Sequence, residues 1–265
     1  MNKKIGFIGC GKMASAIIQG VLGVQGITVK GSEINPEYAQ DAQKRLNIPV
    51  LSDNRALVMD SEILFLATKP NQVSDILEEI KTEITDDKLV VSIAAGVNTE
   101  KIENIIGHKR IVRIMPNTPA LVKEGMFGVC KGKYASEADV EFVKSLLLKI
   151  GKCVEVTEPQ MDIVTAISGS GPAFFYQVIE DMARAGEKLG LDYDKSLLLA
   201  TQTALGSAKM VFSRGETPVQ TLIDNVATKG GCTFVGIEVM KENNSSKLFA
   251  EVIDRTTKKA NELGK

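Results

Sequence analysis

The stretch Lys4-Ile5-Gly6-Phe7-Ile8-Gly9-Cys10-Gly11-Lys12-Met13-Ala14 runs from an apolar strand directly into a Gly-x-Gly-x-x-Ala turn. In such a turn the first glycine permits the sharp strand-to-helix reversal. The second lets the backbone approach a pyrophosphate with no Cβ between, and the small third residue lets the new helix lie close to the strand. Gly9, Gly11 and Ala14 hold those places. A helix opening there offers unpaired N–H groups and the positive end of its dipole to an anion. The surroundings agree, with a strand over 4–8, a helix over 16–22 and a second strand over 27–31. Dinucleotide binding is the expected purpose; a bare structural turn is the plainer alternative.

Outward from this turn, short β-rich runs alternate with amphipathic stretches. Strands are predicted over 62–67, 88–94, 110–115, 126–130 and 153–156, and helices over 36–46, 72–84, 99–106 and 137–150. Continuous apolar strands separated by helices argue for a parallel sheet covered on both faces. The run 126–130 reads as an edge hairpin, and Ser136-x-x-Asp139 as a capping box before the helix that follows. From Pro159 onward strand signals vanish. Phe174, Val178, Met182, Ala185 and Leu189 recur at helical spacing, Gly190 supplies a stop, and Asp192 can cap a helix over 195–212. Further helices are predicted over 219–227, 232–241 and 247–263. The expected fold is therefore α/β: a Rossmann-type doubly wound sheet over residues 1–160, then an all-helical domain over 161–265. Several of these helices are apolar on more than one side, which favours burial against a second subunit over a well-wrapped monomer.

Composition removes several classes. With 32 basic and 33 acidic residues scattered along the chain, no basic block can neutralise a nucleic-acid backbone. The uncharged run 163–179 is broken by Ser168-Gly169-Ser170-Gly171-Pro172 and is no membrane span. Cys10, Cys130, Cys153 and Cys232 are too far apart for metal or redox spacing, so no metal is expected. A strand beginning at Lys4 leaves no stretch for a signal peptide, and a cytoplasmic protein with free thiols is expected.

A nicotinamide dinucleotide implies hydride transfer, yet the usual acid is missing. The sole histidine, His108, sits in His108-Lys109-Arg110 and reads as a solvated loop residue. A substrate that is already electrophilic, such as a protonated imine, would suit this chain, because the protein then supplies mainly position and charge complementarity. Three stretches look specialised. Ala67-Thr68-Lys69-Pro70 ends a strand at the edge where a cofactor lies, with Lys69 either solvated or beside the cofactor. In Met115-Pro116-Asn117-Thr118-Pro119, Asn117 offers a donor and an acceptor to a nicotinamide amide or, alternatively, makes an Asx-type turn. In Thr228-Lys229-Gly230-Gly231-Cys232-Thr233 a helix ends and another begins. It reads as an interhelical turn first and a carboxylate cradle second.

Taken together and in order, these stretches resemble the pyrroline-5-carboxylate reductase family over essentially the whole chain. Ser168-Gly169-Ser170-Gly171-Pro172-Ala173 and Arg113-Ile114-Met115-Pro116-Asn117-Thr118-Pro119 are far more specific than the dinucleotide turn, and Gly230-Gly231-x-Thr233 belongs to the same resemblance. The resemblance implies reduction of 1-pyrroline-5-carboxylate to L-proline by NADPH or NADH, and a homodimer, commonly assembled into a ring of dimers. By position it implies that Ile8, Gly9, Cys10, Gly11, Lys12 and Met13 line the pyrophosphate turn. Asn54 would lie by the adenosine, and Ala67, Thr68, Lys69 and Pro70 along the cofactor. It further implies that Gly230, Gly231, Cys232 and Thr233 hold the substrate carboxylate, that Thr233 contacts the ring nitrogen, and that Glu216 and Asn225 lie near the substrate. Two departures stand out. Lys229 and Cys232 replace family residues in the Gly-Gly turn, and Lys229 forgoes the rigid φ of proline. At the end of the second strand, Glu33 would hold a ribose 2′-hydroxyl and repel a 2′-phosphate, whereas Ser32 and Asn35 could accept a phosphate. The alternatives are a reductase of another cyclic imino acid or of a small β-hydroxyacid, and a non-catalytic NAD(P)-binding sensor.

Overall fold

The computed structural model describes residues 3–264. Its first half is one eight-stranded sheet. The strands are β1 (Lys3–Ile8), β2 (Ile27–Ser32), β3 (Val50–Leu51), β4 (Ile63–Leu66), β5 (Leu89–Ser92), β6 (Arg110–Met115), β7 (Gly125–Lys131) and β8 (Gly151–Glu155). Their spatial order is β3-β2-β1-β4-β5-β6-β7-β8, so the winding reverses beside β1. All pairings are parallel except β6 with β7. The predicted edge hairpin is corrected here: β7 does run antiparallel to β6, but β8 covers its outer side and becomes the edge.

Alternation along the strands divides the core into two layers. Ile5, Phe7, Ile63, Phe65 and Val91 belong to one apolar cluster, whereas Ile8, Leu64, Leu66 and Val90 belong to the other. A strand buried on both faces needs apolar residues at every position, which is why these runs are continuous rather than alternating. Phe7 and Phe65 stack across β1 and β4 with ring centroids 4.5 Å apart, a geometry worth about 0.5–1.5 kcal/mol beyond burial.

The first cluster is covered by α1 (Lys12–Val21), α2 (Pro36–Leu46) and α6 (Glu137–Leu147). The second is covered by α3 (Asn54–Met59), α4 (Val73–Ile80) and α5 (Thr99–Ile106). Gly20 on α1 faces Ile150 so closely that a Cβ would stand 2.3 Å from its methyl group. The capping box before α6 forms as read: Ser136 Oγ accepts from the Asp139 N–H, and Asp139 in turn accepts from the Ser136 N–H at 2.8 Å.

Beyond β8 the chain is helical: α7 (Met161–Val164), which widens into a π turn over Thr165–Gly169, then α8 (Gly171–Lys188), α9 (Tyr193–Ser213), α10 (Val219–Val226), α11 (Cys232–Glu242) and α12 (Ser245–Gly264). Gly190 (φ +97°) stops α8, and Asp192 caps α9 through the Lys195 N–H at 3.2 Å. Two compact units result. One comprises the described residues up to Ser170 with those from Arg255 onward, and the other is Gly171–Asp254. The expected boundary at 160 thus shifts by one helix. Met161 and Ala166 are fully buried in the first unit, and Asn261 near the end of α12 donates to Asp162 at 3.1 Å. In the second unit the only buried residues are Gly171, Ala183, Ser196 and Ala200. Four small residues are no core for 84 residues, and Phe175, Leu198, Leu199, Phe212 and Val235 are all more than half exposed.

An acid-sensitive tie joins the strands at the far end. Asp60 accepts from Lys30 at 2.6 Å and Lys4 at 2.7 Å, and these bonds hold its carboxyl down at about 2. A depressed carboxylate stabilises the fold above its ordinary pKa, and that contribution disappears as the pH falls from about 4 through about 2. Asp60→Asn should therefore flatten the acid limb of a stability-against-pH curve below pH 4 while changing stability at pH 7 only modestly, because the groups are solvent-screened. An unchanged acid limb would show that these bonds contribute nothing.

Candidate cofactor and substrate sites

β1 ends at Ile8 where β4 ends at Leu66, and the Ala67 N–H donates to the Ile8 carbonyl at 2.9 Å. On this carboxyl edge, beside the winding reversal, lies a groove of about 600 Å3. Such a crevice is where doubly wound sheets bind their ligands. Ile8, Gly9, Gly11, Ser32, Glu33, Asn54, Ala67, Thr68 and Lys69, all expected from the sequence, line it. Ile34, Asn35, Tyr38, Gln72 and Ile76 complete the wall.

The two turn glycines act differently. Gly9 has φ +89°, and a Cβ there would stand 2.8 Å from the Ala67 carbonyl oxygen. Gly11 is the N-cap of α1 in extended conformation, and its Cβ would meet nothing within 4 Å. The first glycine is required by the fold; the second keeps open the space a phosphate would fill. No side chain caps α1, so its leading N–H groups stay available. These features fit the pyrophosphate of a dinucleotide.

Around the turn the expectations divide. The Cys10 thiol is buried over Gly31, and burial with the nearby Glu33 carboxylate pushes it up to about 11. Cys10 therefore presents backbone, not a nucleophile. Lys12 lines a second groove of about 610 Å3 on the other flank of the turn, with Cys10, Gly11, Glu33, Tyr38 and Arg45. Met13 and Pro70 line neither groove. Ser32 and Asn54 are buried and bonded to each other at 2.8 Å, and the Asn54 amide donates to Glu79 at 3.1 Å. Asn117 lines neither groove and is bonded within the fold. Its amide donates to the Ser168 carbonyl at 3.2 Å and its oxygen accepts from the Met126 N–H at 2.8 Å. The side chain thus ties the end of β6 to β7 and the π turn. The neighbouring Gly169 serves close packing, since a Cβ would stand 2.5 Å from the Met115 methyl.

Arg45 escaped the sequence reading. From the end of α2 it donates to the Cys10 carbonyl at 3.1 Å, to the Ser15 hydroxyl and to Asp41 at 3.2 Å. Ser15 Oγ donates to the Gly11 carbonyl at 2.8 Å. The carbonyls behind the turn are thereby occupied by donors. Nothing in the local pattern signals this, because Arg45 lies thirty-five residues from the turn it braces. His108 stands exposed in its loop against Tyr134, with ring centroids 4.5 Å apart, away from either groove.

The remaining expected residues fall in the helical unit. Gly230 (φ +83°) turns the chain after α10, and Gly231 is the N-cap of α11, its own N–H donating to the Thr228 carbonyl at 2.9 Å. No side chain caps α11, so Cys232 and Thr233 open an eleven-residue helix with free donors. Asn225 lies on α10 and Glu216 in the loop before it, both exposed.

Comparison with known proteins agrees with this layout. Residues 4–96 match the family model for NADP oxidoreductase, coenzyme F420-dependent, and 158–263 match that for pyrroline-5-carboxylate reductase dimerisation. The pyrroline-5-carboxylate reductase of Methanosarcina acetivorans is 41% identical over 100% of this chain and 99% of its own length. The solved enzyme from Coxiella burnetii superposes with a TM-score of 0.92 at 32% identity, covering 100% of both chains. The solved pyrroline carboxylate reductase from Plasmodium falciparum, with NADP bound, gives 0.88 at 33% identity, covering 100% of this chain and 99% of that one. With the glycine turn, the sheet edge and the helical unit all matched end to end, this chain belongs to the pyrroline-5-carboxylate reductase family.

Proposed function

We propose that this protein reduces 1-pyrroline-5-carboxylate to L-proline with a reduced nicotinamide dinucleotide, NADH or NADPH. The observation that carries it is the pairing of an intact phosphate turn, with Gly9 at φ +89° and Gly11 unobstructed, with whole-length identity to reductases of this kind. When bound, the cofactor supplies hydride; the protein supplies placement. The free N–H groups of Cys232 and Thr233 at the start of α11 take the substrate carboxylate, in a turn shaped by Gly230 and Gly231. The Thr233 hydroxyl orients the ring nitrogen, and Glu216 and Asn225 border the site. A protonated imine needs no strong protein acid, which suits a chain whose single histidine lies in an exposed loop.

The helical unit dimerises with a second copy in this reading, which covers apolar side chains that 84 residues cannot bury alone; a ring of dimers extends the same contact. Cytoplasmic residence with reduced thiols belongs to the same reading, and neither nucleic acid nor membrane is a partner. Purified protein should oxidise NADH or NADPH only when pyrroline-5-carboxylate is added. Thr233→Ala should lower kcat/KM by about 10- to 100-fold, the loss of one hydrogen bond to a charged partner, with cofactor binding unchanged. No turnover of this imine by the parent protein would reject the proposal in favour of a six-membered imino acid or a sensor role.

A further inference from the structure

We infer that the ribose end of this groove selects a dinucleotide with a free 2′-hydroxyl over its 2′-phosphorylated counterpart, and that Glu33 is the residue that decides it. The inference rests on the nicotinamide reading above and deepens it. Register places the residue: Ile8 pairs with Ser32 and the Gly9 N–H donates to the Ser32 carbonyl at 3.0 Å, so Glu33 is the next residue along, directly beside the phosphate turn. It borders both grooves that flank the turn. A carboxylate at the end of the second strand accepts from a ribose hydroxyl and repels a phosphate dianion.

The groups that would otherwise receive a phosphate there are already engaged. Ser32 is 1% exposed, and its hydroxyl donates to Asn54. The N-terminus of α2 would ordinarily attract an anion. Here Pro36 has no N–H, and Asn35 Oδ1 accepts from the N–H groups of Glu37 at 2.9 Å and Tyr38 at 3.2 Å. Glu37 adds a second negative charge in that first turn. The Asn35 N–H itself points to Glu33 Oε1 at 3.4 Å. Arg45, the arginine on the adjoining groove, is held by Asp41, Ser15 and the Cys10 carbonyl. Two lysines remain. Lys69 lines the groove from beyond the end of β4, a strand two spacings (about 10 Å) from β2. Lys12 shares the second groove with Glu33, which offsets its charge.

Fluorescence titration without substrate tests this directly. NADH should bind the native protein at least about tenfold more tightly than NADPH, as a fixed carboxylate beside a phosphate dianion requires. Glu33→Gln should compress that ratio to within about threefold by relieving the repulsion, with an unchanged circular dichroism spectrum and melting temperature. Lys12→Met serves as the counter-test: if Lys12 built a phosphate site, NADPH would bind more tightly than NADH in the native protein and lose that advantage here. Equal binding of the two nucleotides, tighter NADPH binding, or an unchanged ratio in folded Glu33→Gln would overturn the inference and leave the proposed function standing. Failure of the native protein to bind either nucleotide would overturn both.

Discussion

Replacing Gly9 with valine is expected to abolish measurable dinucleotide binding and to destabilise the fold, whereas Gly11→Val should abolish binding with the fold intact. The difference follows from geometry. At Gly9 the backbone holds φ +89°, a conformation that costs a non-glycine residue about 1–3 kcal/mol. The new Cβ would also press on the Ala67 carbonyl oxygen at 2.8 Å and on the Thr68 methyl at 3.0 Å. Backbone at the end of β4 has to move, and Ala67 and Thr68 are themselves groove wall. At Gly11 a built Cβ meets nothing within 4 Å beyond its chain neighbours and the local helix backbone, so the isopropyl group projects into the space reserved for phosphate. Nucleotide titration paired with thermal melting checks this. A Gly9→Val protein that melts like the parent, or a Gly11→Val protein that still binds NADH, would remove the division of labour argued for this turn.

The largest stability effect should come from a residue that lines neither groove. Arg113 on β6 is 2% exposed, and its guanidinium pairs with Glu158 at the entrance to the helical stretch. Glu158 also accepts from the Thr99 N–H at 3.3 Å, the Thr99 hydroxyl at 3.0 Å and the Cys130 thiol at 3.6 Å. One carboxylate thus ties together the start of α5, strands β6 and β7, and the segment after β8. Burial and the Glu158 charge push the Cys130 thiol up to about 12, leaving it a weak donor rather than a reactive group. Glu158→Ala strands a buried guanidinium, a loss of about 3–5 kcal/mol. Arg113→Met should cost less, because the apolar stem fills the same space and Glu158, with a side chain 27% exposed, can take up water. Adding Arg113→Met to Glu158→Ala should therefore recover part of the loss in urea unfolding. The reverse ranking of the two single variants would falsify this account.

Much of the architecture was legible because its signals are local. Strands buried on both faces run apolar, so Ile63-Leu64-Phe65-Leu66 and Leu89-Val90-Val91 declare themselves. The phosphate turn needs glycine at one position for its φ and at another for open space, and the chain spells both within three residues. Caps behave likewise: Ser136-x-x-Asp139 and Asp192 act on backbone three residues away. What escaped was short or distant. β3 has two residues and α3 six, too few for a period to emerge. The edge hairpin was misplaced because nothing in residues 126–130 says that residues 151–155 will pair outside it.

The amino-acid sequence by itself determined the alternation of strand and helix, the phosphate turn and the family, since each depends on residues adjacent along the chain or on their order. Tertiary structure alone decided which polar side chains remain free to meet a ligand. Ser32, Asn35 and Asn117 have the chemistry to bind a cofactor, yet Asn54, the α2 N-terminus and Ser168 claim them first. A side chain's donors and acceptors are few, and whichever partner the fold brings within about 3 Å takes them; sequence states what a group can do, and only proximity states what it is already doing.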